Sequence, residues 1–107
     1  MPARFVLEFE VTPGKEEDVI RAYAALRARL EQGVAGLLGH QLCQSIDEPR
    51  RFIITSEWED VAASASWDRS AEHDALVEPI RACFERAGSA KYEVRDGVTA
   101  RRSVTNT

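Results

Sequence analysis

The chain has little of what metal, disulfide and nucleotide chemistry need. Its 107 residues contain two cysteines, Cys43 and Cys83, and two histidines. Two cysteines without C-x-x-C spacing give neither a disulfide framework nor a structural zinc site, so we predict reduced thiols and no metal. The sequence also lacks a phosphate-cradling glycine loop, a dinucleotide fingerprint and a G-x-S-x-G elbow. These absences argue against the common nucleotide-dependent and serine-dependent enzymes.

Long apolar runs and an excess of basic residues are missing as well. No segment approaches the roughly 18 apolar residues of a membrane span, and no signal-peptide stretch precedes the first predicted strand. The net charge is −4, and acidic and basic residues are interspersed. This pattern argues against nucleic-acid binding and against a membrane-binding patch. We therefore expect a cytoplasmic protein whose ligand is a small molecule or another protein.

Hydrophobic periodicity predicts the order of the elements. Period-two alternation indicates strands, and apolar residues three and four apart indicate helices. The predicted strands are 4–11, 37–45, 52–58 and 91–98. The first predicted helix carries Val19, Tyr23, Leu26 and Leu30 and ends at Gly33.

Two further helices are predicted between the third and fourth strands. Asp60 is placed to cap a short helix that runs through Trp67, and Ser70 is placed to cap the next. The second of these carries Leu76, Ile80 and Phe84 at one-turn intervals and closes at Gly88. Pro79 should kink or restart it, because proline lacks a backbone donor.

The resulting fold class is α+β, with a ferredoxin-like β-α-β-β-α-β order. We expect one domain over residues 1–98 and a polar tail over 99–107. Four antiparallel strands would carry their helices on one face and leave the other bare. Because Phe5, Leu7, Phe9, Phe52, Ile53 and Ile54 suggest apolar strands on more than one face, we expect a homodimer formed through the open sheet face.

Four short stretches carry a family resemblance that spans about residues 4–98. They are a strand followed by Pro13-Gly14-Lys-Glu-Glu, Gly36-Leu-Leu-Gly39 before a strand, Glu57-Trp58-Glu-Asp, and Ser70-Ala-Glu-His73. With them the chain resembles the antibiotic biosynthesis monooxygenase family of dimeric α+β barrels. That barrel hosts cofactor-independent oxygenases, haem-degrading oxygenases, polyketide cyclases and decarboxylases, so the resemblance implies the fold more firmly than the reaction.

Two branches of the family differ in the residues they would require here. The haem-degrading branch pairs a first-strand asparagine with a histidine ten residues after a tryptophan, and these positions are Leu7 and Val77. We therefore reject haem degradation. The cofactor-independent oxygenase branch has asparagine, tryptophan and tyrosine at the positions of Ala63, Trp67 and His73. The tryptophan is kept, and histidine replaces the tyrosine as a chemically competent base.

The resemblance thus implies a cofactor-independent monooxygenase of a polycyclic or quinol-like aromatic. Trp67 and His73 are the candidate catalytic residues, and Leu7, His40 and Trp67 the candidate substrate contacts. His40 is an alternative base if it faces the pocket. Plainer roles stay open, because Trp67 is also a natural core residue, and His73 or His40 a natural structural histidine. A polyketide cyclase or isomerase on the same barrel, or a non-catalytic dimer that binds a small ligand, are the alternative functions.

Overall fold

The computed structural model describes residues 1–100, so most of the predicted tail, from residue 101 onward, lies outside the described part. The elements are β1 (Ala3–Val11), α1 (Glu16–Leu30), β2 (Leu37–Gln44), β3 (Arg51–Trp58), α2 (Val61–Asp68), α3 (Ala71–Arg81) and β4 (Phe84–Glu93). Their β-α-β-β-α-α-β order confirms the ferredoxin-like α+β class. No helix within residues 1–100 is long and apolar enough to cross a membrane.

The four strands form one open antiparallel sheet in the order β2-β3-β1-β4. Residues paired across neighbouring strands point to the same face of a sheet. Phe9 and Phe52 are such a pair, and both are buried in the core with the apolar stripe of α1. Their neighbours Glu8 and Arg51 point the other way and are exposed. The helices therefore cover one face of the sheet, and the other face is bare within the described chain.

The predicted helix signals act as expected. Helix α1 buries Val19, Tyr23, Leu26 and Leu30. The Asp60 carboxylate accepts a hydrogen bond from the Ala63 backbone N–H at 2.8 Å, and the Ser70 hydroxyl accepts one from the His73 N–H at 3.0 Å. These two caps start α2 and α3 at fixed points. As a result, they also fix the positions from which the side chains of Trp67 and His73 project.

The end of α3 differs from the prediction. The helix runs through Pro79 without restarting and ends at Arg81, not at Gly88. Phe84 keeps the one-turn spacing of Leu76 and Ile80 but belongs to β4, where its ring packs on Phe9 with centroids 4.5 Å apart. Pairing with β1 outweighs the local helical pattern, as strand formation often does.

The last strand is correspondingly shifted. It covers Phe84–Glu93, whereas the alternation predicted residues 91–98. Gly88 lies inside the strand, opposite Glu8 of β1. A glycine read as a helix stop is thus tolerated in an edge strand, because the backbone pairing does not need its side chain.

Strand β2 contains an irregularity that the pattern did not predict. Leu37 pairs with Trp58 and Gly39 pairs with Glu57, so the register shifts between them. As a consequence Leu37 packs on the core, whereas Leu38, two residues before His40, is 53% exposed. A β-bulge of this kind re-aims the side chains on one side of it.

The apolar residues cited for a second open face lie mostly on the covered face. Phe5, Leu7 and Phe9 of β1 pair with Ser56, Ile54 and Phe52 of β3, so all of them point toward the helices. Of the six residues, Ile53 alone points to the bare face. The strand register places Val6, Cys43, Ala90 and Tyr92 on the same face. The expectation of a strongly apolar open face was therefore wrong, and the face is a narrow apolar strip among polar groups.

Candidate functional site

A cavity of about 500 Å³ lies between the helices and the covered face of the sheet. This volume falls within the range of small-molecule sites, which hold one drug-sized ligand. Its walls are mainly aliphatic and aromatic, and a few polar groups interrupt them. The cavity therefore has the composition of a pocket for a largely apolar ligand.

The floor of the cavity is built from two transverse rows of paired residues. One row runs His40, Ser56, Phe5 and Lys91 across β2, β3, β1 and β4. Since neighbouring strands lie about 4.8 Å apart, this row spans roughly 14 Å. It has a histidine at one end and an ammonium group at the other.

The second row of the floor is apolar in its centre. Ile54 and Leu7 pair across β3 and β1, and Ser89 follows on β4. Val77 of α3 also lines the cavity. Leu7 and Val77 are the positions at which the haem-degrading branch would need its asparagine and its iron ligand, and here both present hydrocarbon. Within residues 1–100 no group of three or more histidine, cysteine or carboxylate side chains is arranged to hold a metal ion.

Trp67 forms part of the wall and part of the core at once. It is 8% exposed and belongs to the main core cluster, yet it lines the cavity. The guanidinium of Arg29 lies over its ring, 5.6 Å from the centroid, and Glu72 holds that guanidinium by a salt bridge. Cation–π contact and burial fix the indole plane. Both roles considered from the sequence, packing and ligand contact, are therefore compatible with its position.

His73 also lines the cavity, and two carboxylates flank its ring. Nδ1 lies 3.4 Å from an oxygen of Asp74, and Nε2 lies 3.6 Å from an oxygen of Asp68. A carboxylate only accepts hydrogen bonds, so the Asp74 contact favours a proton on Nδ1 of the neutral ring. Asp68, unlike Asp74, lines the cavity. Of the two ring nitrogens, Nε2 is therefore the one that lies near a carboxylate of the cavity wall.

His40 has a different environment. Its Nδ1 lies 2.8 Å from the hydroxyl of Tyr23, and the two rings stack with centroids 5.7 Å apart. Burial, with a smaller contribution from His73, lowers the pKa of His40 to about 4. The ring is therefore neutral near pH 7 and a poor proton acceptor. The alternative assignment of His40 as the base is not favoured by this environment.

The four residues predicted from the sequence thus lie around one cavity. Leu7, His40, Trp67 and His73 all line it. Tyr23 and Lys91 were not predicted. Tyr23 gave a usable signal, because a tyrosine in a buried helical stripe needs a partner for its hydroxyl. Lys91 gave none, since its place at the end of the transverse row depends on the register of β4.

Trp58, the second tryptophan, is a core residue. Its side chain is 2% exposed, and its indole N–H donates to the Ser56 hydroxyl at 3.0 Å. It does not line the cavity. Ala63, which stands where the oxygenase branch has asparagine, is not among the lining residues either. It packs closely against Gly36.

The chain is similar in sequence to known proteins. It is 37% identical over 91 residues to the 42.8 kDa protein of the whiE locus of Streptomyces coelicolor, covering 85% of this chain and 23% of that protein. It is 31% identical over 93 residues to the polyketide synthase CurD of Streptomyces cyaneus, covering 85% of this chain and 24% of that protein. The chain spans about a quarter of the length of these curated relatives.

A solved structure shares the fold. SnoaB, a cofactor-independent oxygenase from Streptomyces nogalater, superposes with a TM-score of 0.78 at 18% identity, over 90% of this chain and 95% of SnoaB. At this identity the likeness concerns the fold alone. The model of the antibiotic biosynthesis monooxygenase family matches residues 2–79. The match covers well over half of the sequence, and the chain therefore belongs to the antibiotic biosynthesis monooxygenase family.

Proposed function

We propose that the protein is a cofactor-independent monooxygenase of a polycyclic or quinol-like aromatic, of the kind used in polyketide and antibiotic biosynthesis. The observation that carries the proposal is that His73 lines a mainly apolar cavity together with Trp67 and Asp68. Family membership and the polyketide synthase relative support the substrate class.

The chemistry needs a base and a sheltered pocket more than it needs a cofactor. In an anthrone-type substrate the methylene C–H next to the aromatic rings is acidic, and His73 would remove that proton to leave an enolate. The electron-rich enolate carbon would reduce dioxygen and form a C–O bond to it. The imidazolium would return its proton to the resulting peroxide, and loss of water would leave a new ketone. The substrate supplies all the electrons, so no external reductant is required.

The pocket walls suit the intermediate in this scheme. Ile54, Leu7 and Val77 exclude water from the ring system, which protects an enolate from rapid reprotonation. The Asp68 carboxylate beside Nε2 would stabilise the imidazolium while the anion exists. Trp67 offers an edge and a face against which a planar substrate can pack.

The test is dioxygen consumption by metal-free and flavin-free protein with anthrone as the substrate. We expect enzyme-dependent uptake that His73→Ala reduces 10²- to 10⁴-fold, roughly the contribution of general-base catalysis. Uptake no faster than in buffer would contradict the proposal. If a polyketide substrate were then cyclised without uptake, the polyketide cyclase would replace the oxygenase, and ligand binding without turnover would leave the non-catalytic dimer.

We also propose a homodimer through the bare sheet face. The support is the apolar strip of Val6, Ile53, Cys43, Ala90 and Tyr92, which lies uncovered in the single chain. The strip is bordered by the Arg4–Glu57 ion pair and by the hydrogen bond from Thr55 to Gln41. A self-complementary association would cover the strip and leave the cavity on the opposite face accessible.

A further inference from the structure

The Tyr23–His40 pair joins helix α1 to strand β2 at one end of the cavity floor. The hydroxyl oxygen and Nδ1 are 2.8 Å apart, and the rings lie 27° from parallel. Tyr23 is 8% exposed, so its hydroxyl has little access to water. The family resemblance assigned no role to this tyrosine, and the oxygenase proposal does not use it.

The direction of this hydrogen bond follows from counting protons. Burial raises the pKa of Tyr23 to about 12 and lowers the pKa of His40 to about 4, so both groups are neutral near pH 7. Within residues 1–100 the Tyr23 side chain has no other hydrogen-bond partner. If Nδ1–H were the donor, the buried O–H would be left unpaired at a cost of about 1–3 kcal/mol. The hydroxyl therefore donates to Nδ1, and the proton of His40 resides on Nε2.

The accessibility of His40 Nε2 follows from its lack of a hydrogen-bond partner. No side chain or backbone group among residues 1–100 bonds to Nε2, and the one buried side-chain polar atom without a partner in that range is Ser64 Oγ. Nε2 is therefore not fully buried, and His40 is one of the residues that line the cavity.

We infer that Tyr23 is a positioning residue that holds His40 as a neutral Nε2–H donor toward an oxygen of the ligand. This inference rests on the proposed function and deepens it: His73 is the base, and His40 supplies a hydrogen bond to the phenolate or enolate oxygen that develops as the proton leaves. A fixed donor aimed at developing negative charge stabilises the transition state without reorganisation. The ligand class is an aromatic that carries a hydroxyl or carbonyl oxygen.

The ring nitrogens report the tautomer directly, without any need for turnover. Protonated and unprotonated nitrogens of a neutral imidazole have well-separated ¹⁵N chemical shifts, and the chain has two histidines, so His73→Ala assigns the signals. At pH 7 we expect a protonated Nε2 and an unprotonated Nδ1 for His40 in the wild type. Tyr23→Phe should convert this pattern to a mixture of tautomers. Tyr92→Phe, at the other and exposed tyrosine, should leave it unchanged.

A binding measurement tests the ligand side of the inference. Quenching of tryptophan fluorescence gives the affinity for 2-naphthol and for naphthalene, which lacks the oxygen. Tyr23→Phe should weaken 2-naphthol binding about two- to tenfold, the range expected for one hydrogen bond, and leave naphthalene binding unchanged.

Three results would overturn the inference: a wild-type His40 protonated on Nδ1, a tautomer pattern that Tyr23→Phe does not alter, or equal weakening of both ligands. The wild-type spectrum alone decides the first of these, even if Tyr23→Phe fails to fold. If the tautomer and the ligand selectivity are as predicted but no oxygen uptake is observed, the oxygenase proposal is refuted. The role of His40 as a hydrogen-bond donor to the ligand then stands.

Discussion

The indole of Trp67 and the imidazole of His73 meet edge to face, with ring centroids 5.8 Å apart and ring planes 79° apart. Trp67 lies in the last turn of helix α2, and His73 lies in the first turn of α3, which the Ser70 cap starts. The short connection between two helices thus places a planar aromatic wall beside a candidate base. The arrangement depends on local capping, and therefore responds to changes that never touch the cavity.

Trp67→Phe separates packing from ligand contact when it is compared with Trp58→Phe. Both tryptophans are buried, so each change should lower the free energy of unfolding by about 1–3 kcal/mol. Only Trp67 lines the cavity. We expect Trp67→Phe to reduce kcat/KM at least about tenfold at a temperature where both variants are folded. Equal kinetic losses for the two variants, measured beside urea unfolding curves, would argue that Trp67 has no role beyond packing.

The Tyr23–His40 pair should make stability depend on pH at both ends. The pKa of His40 is lowered from 6.5 to about 4, so the unfolded chain binds this proton first as the pH falls. The contribution of His40 to the free energy of unfolding is complete above pH 6.5. It falls by roughly 1–3 kcal/mol between pH 6.5 and 4, for a partly exposed ring. The pKa of Tyr23 is raised from 10.0 to about 12, so its contribution is full below pH 10 and is lost as the pH rises to 12.

Urea unfolding at a series of pH values measures these two limbs. We expect His40→Gln to flatten the decline between pH 6.5 and 4, and Tyr23→Phe to flatten the decline above pH 10. If both variants kept the slopes of the wild type, neither group would have its pKa shifted by folding.

Gly36→Ala should be strongly destabilising, whereas Gly33→Ala should be mild. Both glycines have a positive φ, of 82° and 99°, which costs an alanine about 1 kcal/mol. A Cβ on Gly36 would also lie 2.4 Å from the Cβ of Ala63, and the same atom on Gly33 would meet nothing within 4 Å. We expect losses of about 3 kcal/mol or more for Gly36→Ala and about 1 kcal/mol for Gly33→Ala in thermal or urea unfolding. Similar losses would show that Ala63 of α2 does not pack closely against Gly36 as described.

Ser64→Ala should be neutral or stabilising. Ser64 is fully buried in α2, and its hydroxyl is without a hydrogen-bond partner among residues 1–100. Removing an unpaired buried hydroxyl recovers its desolvation cost, and alanine favours the helix, so a gain of about 1 kcal/mol is expected. The exposed Ser66 of the same helix serves as the control, since Ser66→Ala changes propensity alone. A clear loss of stability in Ser64→Ala would reveal a partner for this hydroxyl.

The proposed dimer predicts different effects for lysine substitutions at two isoleucines. Ile53→Lys places a charge in the centre of the apolar strip on the bare face, whereas Ile20→Lys places one on the 39% exposed outer side of α1. In sedimentation at micromolar concentration we expect a dimer for the wild type and for Ile20→Lys, and a monomer for Ile53→Lys. A monomeric wild type would refute the dimer.

How far the sequence predicts this molecule depends on how local each signal is. The caps at Asp60 and Ser70 and the buried stripe of α1 are local, and they are found as predicted. The strand that begins at Phe84 is set by pairing with β1, which no local periodicity encodes, and the pattern there favoured a longer helix. The bulge between Leu37 and Gly39 is likewise a property of the pairing with β3.

The residues of the candidate site also differ in how local their sequence signals are. Trp67 and His73 are six residues apart, and the family motif brought them together. The pairing of Tyr23 with His40 joins residues 17 apart through the packing of α1 on the sheet. The sequence pointed to His40 as a candidate substrate contact and to Tyr23 as a buried helix residue, and their hydrogen bond depends on tertiary packing that neither local pattern encodes.

The measurement that tests the central claim most directly is the conversion of anthrone under ¹⁸O₂ by protein freed of metal and flavin, with mass analysis of the product. Anthrone and dioxygen contain the atoms of anthraquinone and water, so the account predicts one ¹⁸O atom in the new ketone, formed at a rate that His73→Ala reduces about 10²- to 10⁴-fold. Anthraquinone formed no faster than in buffer, or formed equally fast by His73→Ala, would contradict it.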